Sequence, residues 1–102
     1  DKILALRIFS NDLGKFDFCL KDISGQLLIV SQFTLYANCA KGRRPDFLDA
    51  ASYQEGKKLY EQFLDIIKTY KIKFETGEFG ADMLVKIQNA GPVTIILDSD
   101  EI

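Results

Sequence analysis

Histidine is absent from this chain of 102 residues. That absence removes the Ser-His-Asp and Cys-His arrangements, takes away the commonest zinc ligand and leaves no side chain that titrates near neutrality at its ordinary pKa. Any hydrolysis carried out here must do without an imidazole. Long apolar runs are missing too: none approaches the ~20 residues that a membrane-spanning helix needs. The opening residues, DKILALRIFS, carry neither the basic start nor the cleavage site of a secretory signal, so a soluble, cytoplasmic protein is expected. Cysteine is scarce. Cys19 lies in a strand-like alternation and Cys39 ahead of a basic loop, and such unlike contexts suggest buried or inert thiols in a reducing compartment rather than a disulfide framework. Positive charge is not in excess either. A net charge of -2 and a pI near 5.0 exclude a protein that coats nucleic acid non-specifically, while leaving room for a local basic site.

What is present is the raw material of one domain, spanning residues 1–102. At 47% hydrophobic and 12% aromatic, the chain can bury about 60 to 70% of its unfolded surface. Ile3, Leu4, Leu6, Ile8 and Phe9 crowd together as at the end of a helix, and Asn11, Asp12 and Gly14 form a turn. Phe16, Phe18 and Leu20 then alternate with Asp17, Cys19 and Lys21 as in a half-buried strand. Ser24 and Gly25 turn the chain into a further strand over residues 26–36. Ser52 with Glu55 resembles a capping box, and Leu59, Tyr60, Phe63, Ile66, Ile67 and Tyr70 follow helical spacing. Packing on a sheet accounts for that aromatic stripe. Ile72 and Phe74 alternate with charged neighbours, GEFGAD turns, and residues 83–88 and 93–97 read as two last strands separated by NAGP. The expected fold is α+β, an antiparallel or mixed sheet covered by one long amphipathic helix.

Three stretches leave both a structural and a functional reading open. The apolar run LLIV, residues 27–30, continues into SQFTL, residues 31–35, placing Ser, Gln and Thr where a core strand would be. Polar side chains there need partners or a task. KGRRPDF, residues 41–47, gathers Lys41, Arg43 and Arg44 around Gly42 and Pro45; it is either a solvated turn or an anion contact. In NAGPVT, residues 89–94, Pro92 cannot donate to a sheet and Gly91 accepts backbone shapes closed to other residues. The corner is therefore an ordinary hairpin loop or an uncommon geometry such as a cis peptide.

Taken in order, SQFTL with the following YA, KGRRPDF, an amphipathic helix, GEFGADM and NAGPVTIILDS closely resemble the D-aminoacyl-tRNA deacylase family over nearly the whole chain. The resemblance implies a homodimer, barrel-like when assembled, that hydrolyses the ester joining a D-amino acid or glycine to the terminal adenosine of tRNA, without cofactor or metal. Members usually carry about fifty further N-terminal residues, so the domain is expected to be N-terminally incomplete. By resemblance, Ser31, Gln32, Phe33 and Thr34 form the catalytic segment. Asn89, Gly91, Pro92 and Thr94 form the chiral selector, in which Gly91-Pro92 is a cis dipeptide reaching into the partner subunit's pocket. Its carbonyls would capture the substrate amino group and leave no room for an L side chain.

Two mechanisms stay open. Thr34 is a possible nucleophile, but a chain without histidine offers it no base at a matched spacing. The alternative, also implied by the resemblance, uses the neighbouring ribose hydroxyl of the substrate. Ser31 and Gln32 would then bind the adenosine end, and backbone N–H groups near Phe33 and Thr34 would face the oxyanion. For a tRNA substrate, Lys41, Arg43 and Arg44 become phosphate contacts, and Ala50 and Ala51 small pocket residues. DNA and membranes are not expected partners. A non-catalytic module that binds the tRNA end or a protein on the same fold competes with this reading. So does a metal-dependent hydrolase using Asp82, Asp98 and Asp100, although scattered acids of this kind are ordinarily solvated.

Overall fold

The computed structural model describes residues 1–102, which form two compact units: residues 1–23 together with 84–102, and residues 24–83. The first unit opens with the short helix α1, Lys2–Ala5, which ends where Leu6 takes an extended backbone. Strand β1, Phe9–Ser10, pairs antiparallel with β2, Phe16–Phe18, across an irregular register. The turn between them is built by Asn11, whose side-chain oxygen accepts from the Leu13 and Lys15 amides at 2.9 and 3.1 Å. Gly14 supplies the left-handed step at φ 75°. Leu4 and Leu20 are the buried residues of this unit. The Phe16/Phe18 alternation does mark a strand, but with inverted facing: both rings are exposed and Asp17 is half-buried. Asp17 lies 3.7 Å from Arg7 and accepts from Asn11 at 3.3 Å, so a polar network claims the inward position.

The second unit is a β-α-β arrangement. Strand β3, Leu27–Ile29, pairs in parallel with β4, Phe74–Thr76, and helix α2, Tyr53–Thr69, lies between them in sequence. The Ser52 hydroxyl caps α2 by accepting from the Glu55 amide at 3.3 Å, and Lys71 ends the region in a left-handed conformation at φ 55°. The inward face of α2 runs through Gly56, Tyr60, Phe63, Leu64 and Ile67, with Ile67 the most buried residue of the chain at 4% exposure. Leu59 and Ile66, expected on that face, are exposed instead, because they fall about a third of a turn away from it. Lys57–Glu61 and Asp65–Lys68 are exposed ion pairs on the solvent side and contribute little.

The single sheet expected from the sequence is replaced by two two-stranded sheets, one antiparallel and one parallel. Three strand assignments also change. The strand expected over 26–36 stops at Ile29 because β4 is only three residues long and offers no partner beyond Thr76; the chain then enters a 3-10 turn, Phe33–Tyr36. Residues 83–88 and 93–97 form no ladder. They carry a strand pattern, with Val93 and Leu97 half-buried and Ile96 exposed, but no neighbour pairs with their backbone. The free cysteines differ: Cys19 is half-buried and Cys39 exposed. No helix is long and apolar enough to cross a membrane.

Candidate functional site

Parallel pairing brings two of the motifs that carry the family resemblance to one edge. Leu27, Leu28 and Ile29 stand beside Phe74, Glu75 and Thr76, so SQFTL and GEFGADM both leave the sheet at the carboxyl ends of its strands. In open α/β sheets this is the edge at which ligands bind. The bond from the Gly77 amide to the Ile29 carbonyl, 3.0 Å, closes the ladder, and Gly77 has Met83 packed where a Cβ would stand.

Beyond Val30 the SQFTL segment turns outward. Ser31 is half-buried, whereas Gln32, Phe33 and Thr34 are exposed. The Gln32 side-chain amide donates to the Thr34 hydroxyl oxygen at 2.5 Å. This bond answers part of the polar puzzle: Gln32 and Thr34 satisfy one another at the surface instead of being stranded in a core. It also engages a lone pair of the Thr34 oxygen, and no basic side chain is bonded to that hydroxyl to take its proton. The 3-10 turn closes with Leu35 N–H donating to the Gln32 carbonyl at 3.4 Å, which leaves the amides of Phe33 and Thr34 ahead of the first intrahelical bond.

The basic loop is fixed beside this segment. Asn38 and Asp46 exchange backbone bonds of 2.8 and 3.0 Å and close the loop at its base. The Asn38 side chain accepts from Ala40, the Asp46 side chain accepts from Leu48, and Gly42 turns at φ 69°. Lys41, Arg43 and Arg44 project from the tip, all exposed and none in an ion pair. Phe47, at the loop's end, meets the edge of Phe33 with ring centroids 5.1 Å apart, tying the cationic tip to the SQFTL turn. Ala50, half-buried, and Ala51, exposed, lead from Phe47 into the cap of α2, and the Ala50 amide donates to the Phe47 carbonyl at 3.1 Å.

The Gly-Pro corner lies in the other unit. Gly91-Pro92 is a cis peptide, with Gly91 at φ 134°. A Cβ on Gly91 would stand 2.9 Å from a Val93 methyl, so the position requires glycine. Asn89 braces the corner: its side-chain oxygen accepts from the Val93 amide at 2.9 Å and its NH2 donates to the Thr94 hydroxyl at 3.2 Å. Asn89 and Thr94 are thus committed to holding the loop's shape. The backbone of Gly91 and Pro92 is what the loop presents. The acids of the metal-hydrolase reading do not assemble: no cluster of three potential ligands forms, and Asp98 instead caps the Asp100 amide at 2.9 Å. A residue that sequence reasoning missed is Tyr60, which appeared only as one of the packing positions of α2. Its hydroxyl donates to the Ile29 carbonyl at 2.9 Å, and burial raises its pKa.

A histidine-free β-α-β unit that sends a polar segment off its strand ends beside an unpaired cationic loop defines a class of site suited to a polyanionic substrate. Any chemistry there would proceed without an imidazole. The family described as D-Tyr-tRNA(Tyr) deacylase matches residues 1–98, and the chain belongs to that family. It is 59% identical over 99 residues to the D-aminoacyl-tRNA deacylase of Clostridium beijerinckii, a match covering 97% of this chain and 66% of that protein. The enzyme of the same name from Aquifex aeolicus is 58% identical over 102 residues, 100% of this chain and 69% of its own length. A solved structure described as a c-Myc DNA Unwinding Element Binding Protein superposes with a TM-score of 0.84 at 40% identity, over 96% of this chain and 67% of that one. The chain spans about two thirds of the length of the curated relatives it matches.

Proposed function

We propose that the protein is a cytoplasmic D-aminoacyl-tRNA deacylase. It hydrolyses the ester between a D-amino acid, or glycine, and the 3'-terminal adenosine of tRNA, and so removes wrong-handed amino acids before translation. The observation that carries this reading is the Gln32–Thr34 pair beside the unpaired cationic loop, in a chain belonging to the deacylase family. Ser31 and Gln32 hold the adenosine end, and the Phe33 and Thr34 amides stabilise the oxyanion that forms as the ester carbonyl is attacked. Thr34 orients and does not attack: its oxygen already accepts a bond from Gln32 and no base adjoins it. The neighbouring ribose hydroxyl of the substrate assists the attack by water in its place. Lys41, Arg43 and Arg44 contact acceptor-stem phosphates, Ala50 and Ala51 leave room for the adenosine, and no metal or other cofactor takes part.

Stereochemical selection falls to Gly91 and Pro92, with Asn89 and Thr94 as their brace. Rigid backbone discriminates between enantiomers without the entropy cost of ordering side chains. Glycine passes because it has no side chain to exclude. The enzyme works as a homodimer, the Gly-Pro corner of one protomer entering the pocket of its partner. The exposure of Leu35 and Leu48 in one unit and of Leu84 and Ile96 in the other, each above 80%, supports a working form in which a partner protomer covers these side chains. DNA is not a partner.

The test is release of tyrosine from D-tyrosyl-tRNA and L-tyrosyl-tRNA, side by side and with chelator present. Rapid release from the D form alone is expected. Binding without release would establish the competing reading, a tRNA-end module without turnover. Repeating the assay with a 2'-deoxy terminal adenosine should nearly abolish hydrolysis, and an undiminished rate would eliminate the substrate-assisted route.

A further inference from the structure

We propose that Tyr60 is a positioning residue for the SQFTL segment, acting from α2 through the Ile29 carbonyl; the catalytic part of this inference rests on the function proposed above. That carbonyl accepts two bonds, one from the Gly77 amide at 3.0 Å, which is the ladder's last bond, and one from the Tyr60 hydroxyl at 2.9 Å. The same peptide plane carries the Val30 amide, one residue before Ser31. Holding the plane therefore sets the direction in which the chain leaves the sheet toward Gln32, Phe33 and Thr34. Only the ladder bond comes from the sheet; the second crosses 31 residues of sequence from the helix.

The ring of Tyr60 is itself held. It lies tilted against Phe79 with centroids 5.5 Å apart, and Phe79 in turn meets the edge of Tyr53 at 5.3 Å. Gly56 makes room for this cluster, since a Cβ there would come within 3.2 Å of the Phe79 ring, and Gly80 makes room for Tyr53, at 2.6 Å. The two glycines and Phe79 thus lock the GEFGADM turn onto α2 and aim the Tyr60 hydroxyl at the strand end. Burial favours the neutral phenol, so the donor is present throughout the neutral range.

The experiment compares Tyr60→Phe with Tyr53→Phe in the intact protein. Each variant removes one hydroxyl from the same aromatic cluster, but the Tyr53 hydroxyl makes no bond to Ile29. For Tyr60→Phe, kcat on D-tyrosyl-tRNA should fall about five- to tenfold, the effect of losing one hydrogen bond from a positioned group. The D/L ratio should stay at the wild-type value, because the Gly-Pro corner is untouched. Amide exchange at Leu35 and Gly77 should quicken by a similar factor. Tyr53→Phe should leave all of these unchanged. A Tyr60→Phe variant with wild-type kcat, or with a lowered melting temperature but unaltered exchange at Leu35 and Gly77, overturns the inference. If the wild-type protein releases no D-tyrosine, the functional reading fails by itself, and the exchange comparison still decides whether Tyr60 orders this segment.

Discussion

Replacing Lys41, Arg43 and Arg44 together by glutamine tests the electrostatic half of the site with little risk to the fold. The loop's closure depends on backbone bonds between Asn38 and Asp46 and on the Phe47–Phe33 ring contact, none of which involves the three cations. All three are exposed and free of ion pairs, so each can release a counterion on meeting a phosphate. A phosphate contact contributes a slope of roughly -0.7 to -0.9 to log K against log salt, so three contribute about -2 to -3. Between 50 and 200 mM salt, wild-type affinity for aminoacyl-tRNA should therefore fall about 20- to 40-fold more than that of the triple variant. The assay is a filter-binding or fluorescence titration at four salt concentrations, using substrate with a non-hydrolysable amide in place of the ester. Binding should weaken most at low salt, with the D/L preference retained. Equal slopes for wild type and variant would refute the reasoning and return the loop to a solvated turn.

Four further outcomes are expected. Ser52→Ala removes the cap on α2 and should lower stability by about 1 kcal/mol in a denaturant titration, with the slope of the transition unchanged. Gly80→Ala places a Cβ 2.6 Å from the Tyr53 ring at a φ of +76°, and should cost more than about 1 kcal/mol by thermal unfolding. Asn89→Ala deletes both braces of the Gly-Pro corner and should narrow the D/L discrimination, whereas Asn89→Asp keeps an acceptor for Val93 and should retain most of it; paired deacylation assays on the two substrates decide. The last outcome concerns alkaline pH. A tyrosine in the unfolded chain loses its proton near pH ~10, and burial raises the folded value of Tyr60 above that. The unfolded state therefore gives up this proton first, so the stability the group contributes is full below pH ~10 and is lost as pH climbs through the folded value. Ultraviolet phenolate titration should show the Tyr60 signal, identified as the one missing in Tyr60→Phe, ionising above the pH ~10 of a free tyrosine.

How far these features were legible depends on how local their causes are. Helix α2, its Ser52 cap and the Asn11-Gly14 turn follow from residues a few positions apart, and each stands where periodicity and turn chemistry put it. The basic loop was legible in the same way, through Gly42 and Pro45. Strand ends were not. Where β3 stops is decided by the length of β4, far along the chain, so nothing in SQFTL announces a 3-10 turn. Residues 83–88 and 93–97 carry the right alternation, but a strand also needs a neighbour with its backbone bonds free, which one segment's pattern cannot specify. The site divides similarly. Its unusual residues stood out because they break the apolar pattern, whereas the task of the Tyr60 hydroxyl was hidden by a ring that packs like any other on that face.

The parallel pairing of β3 with β4 also bears on when this site comes into being. Leu27 meets Phe74 only after the basic loop and the whole of α2 have been laid down between them, and contacts so distant in sequence form late because closing the intervening chain costs entropy before any bond repays it. The strand end that aims SQFTL is thus among the last parts of its unit to be fixed. A chain emerging from the ribosome would expose its cationic loop well before it could orient Gln32 and Thr34, so the loop's charge would be on display before the neighbouring segment is set.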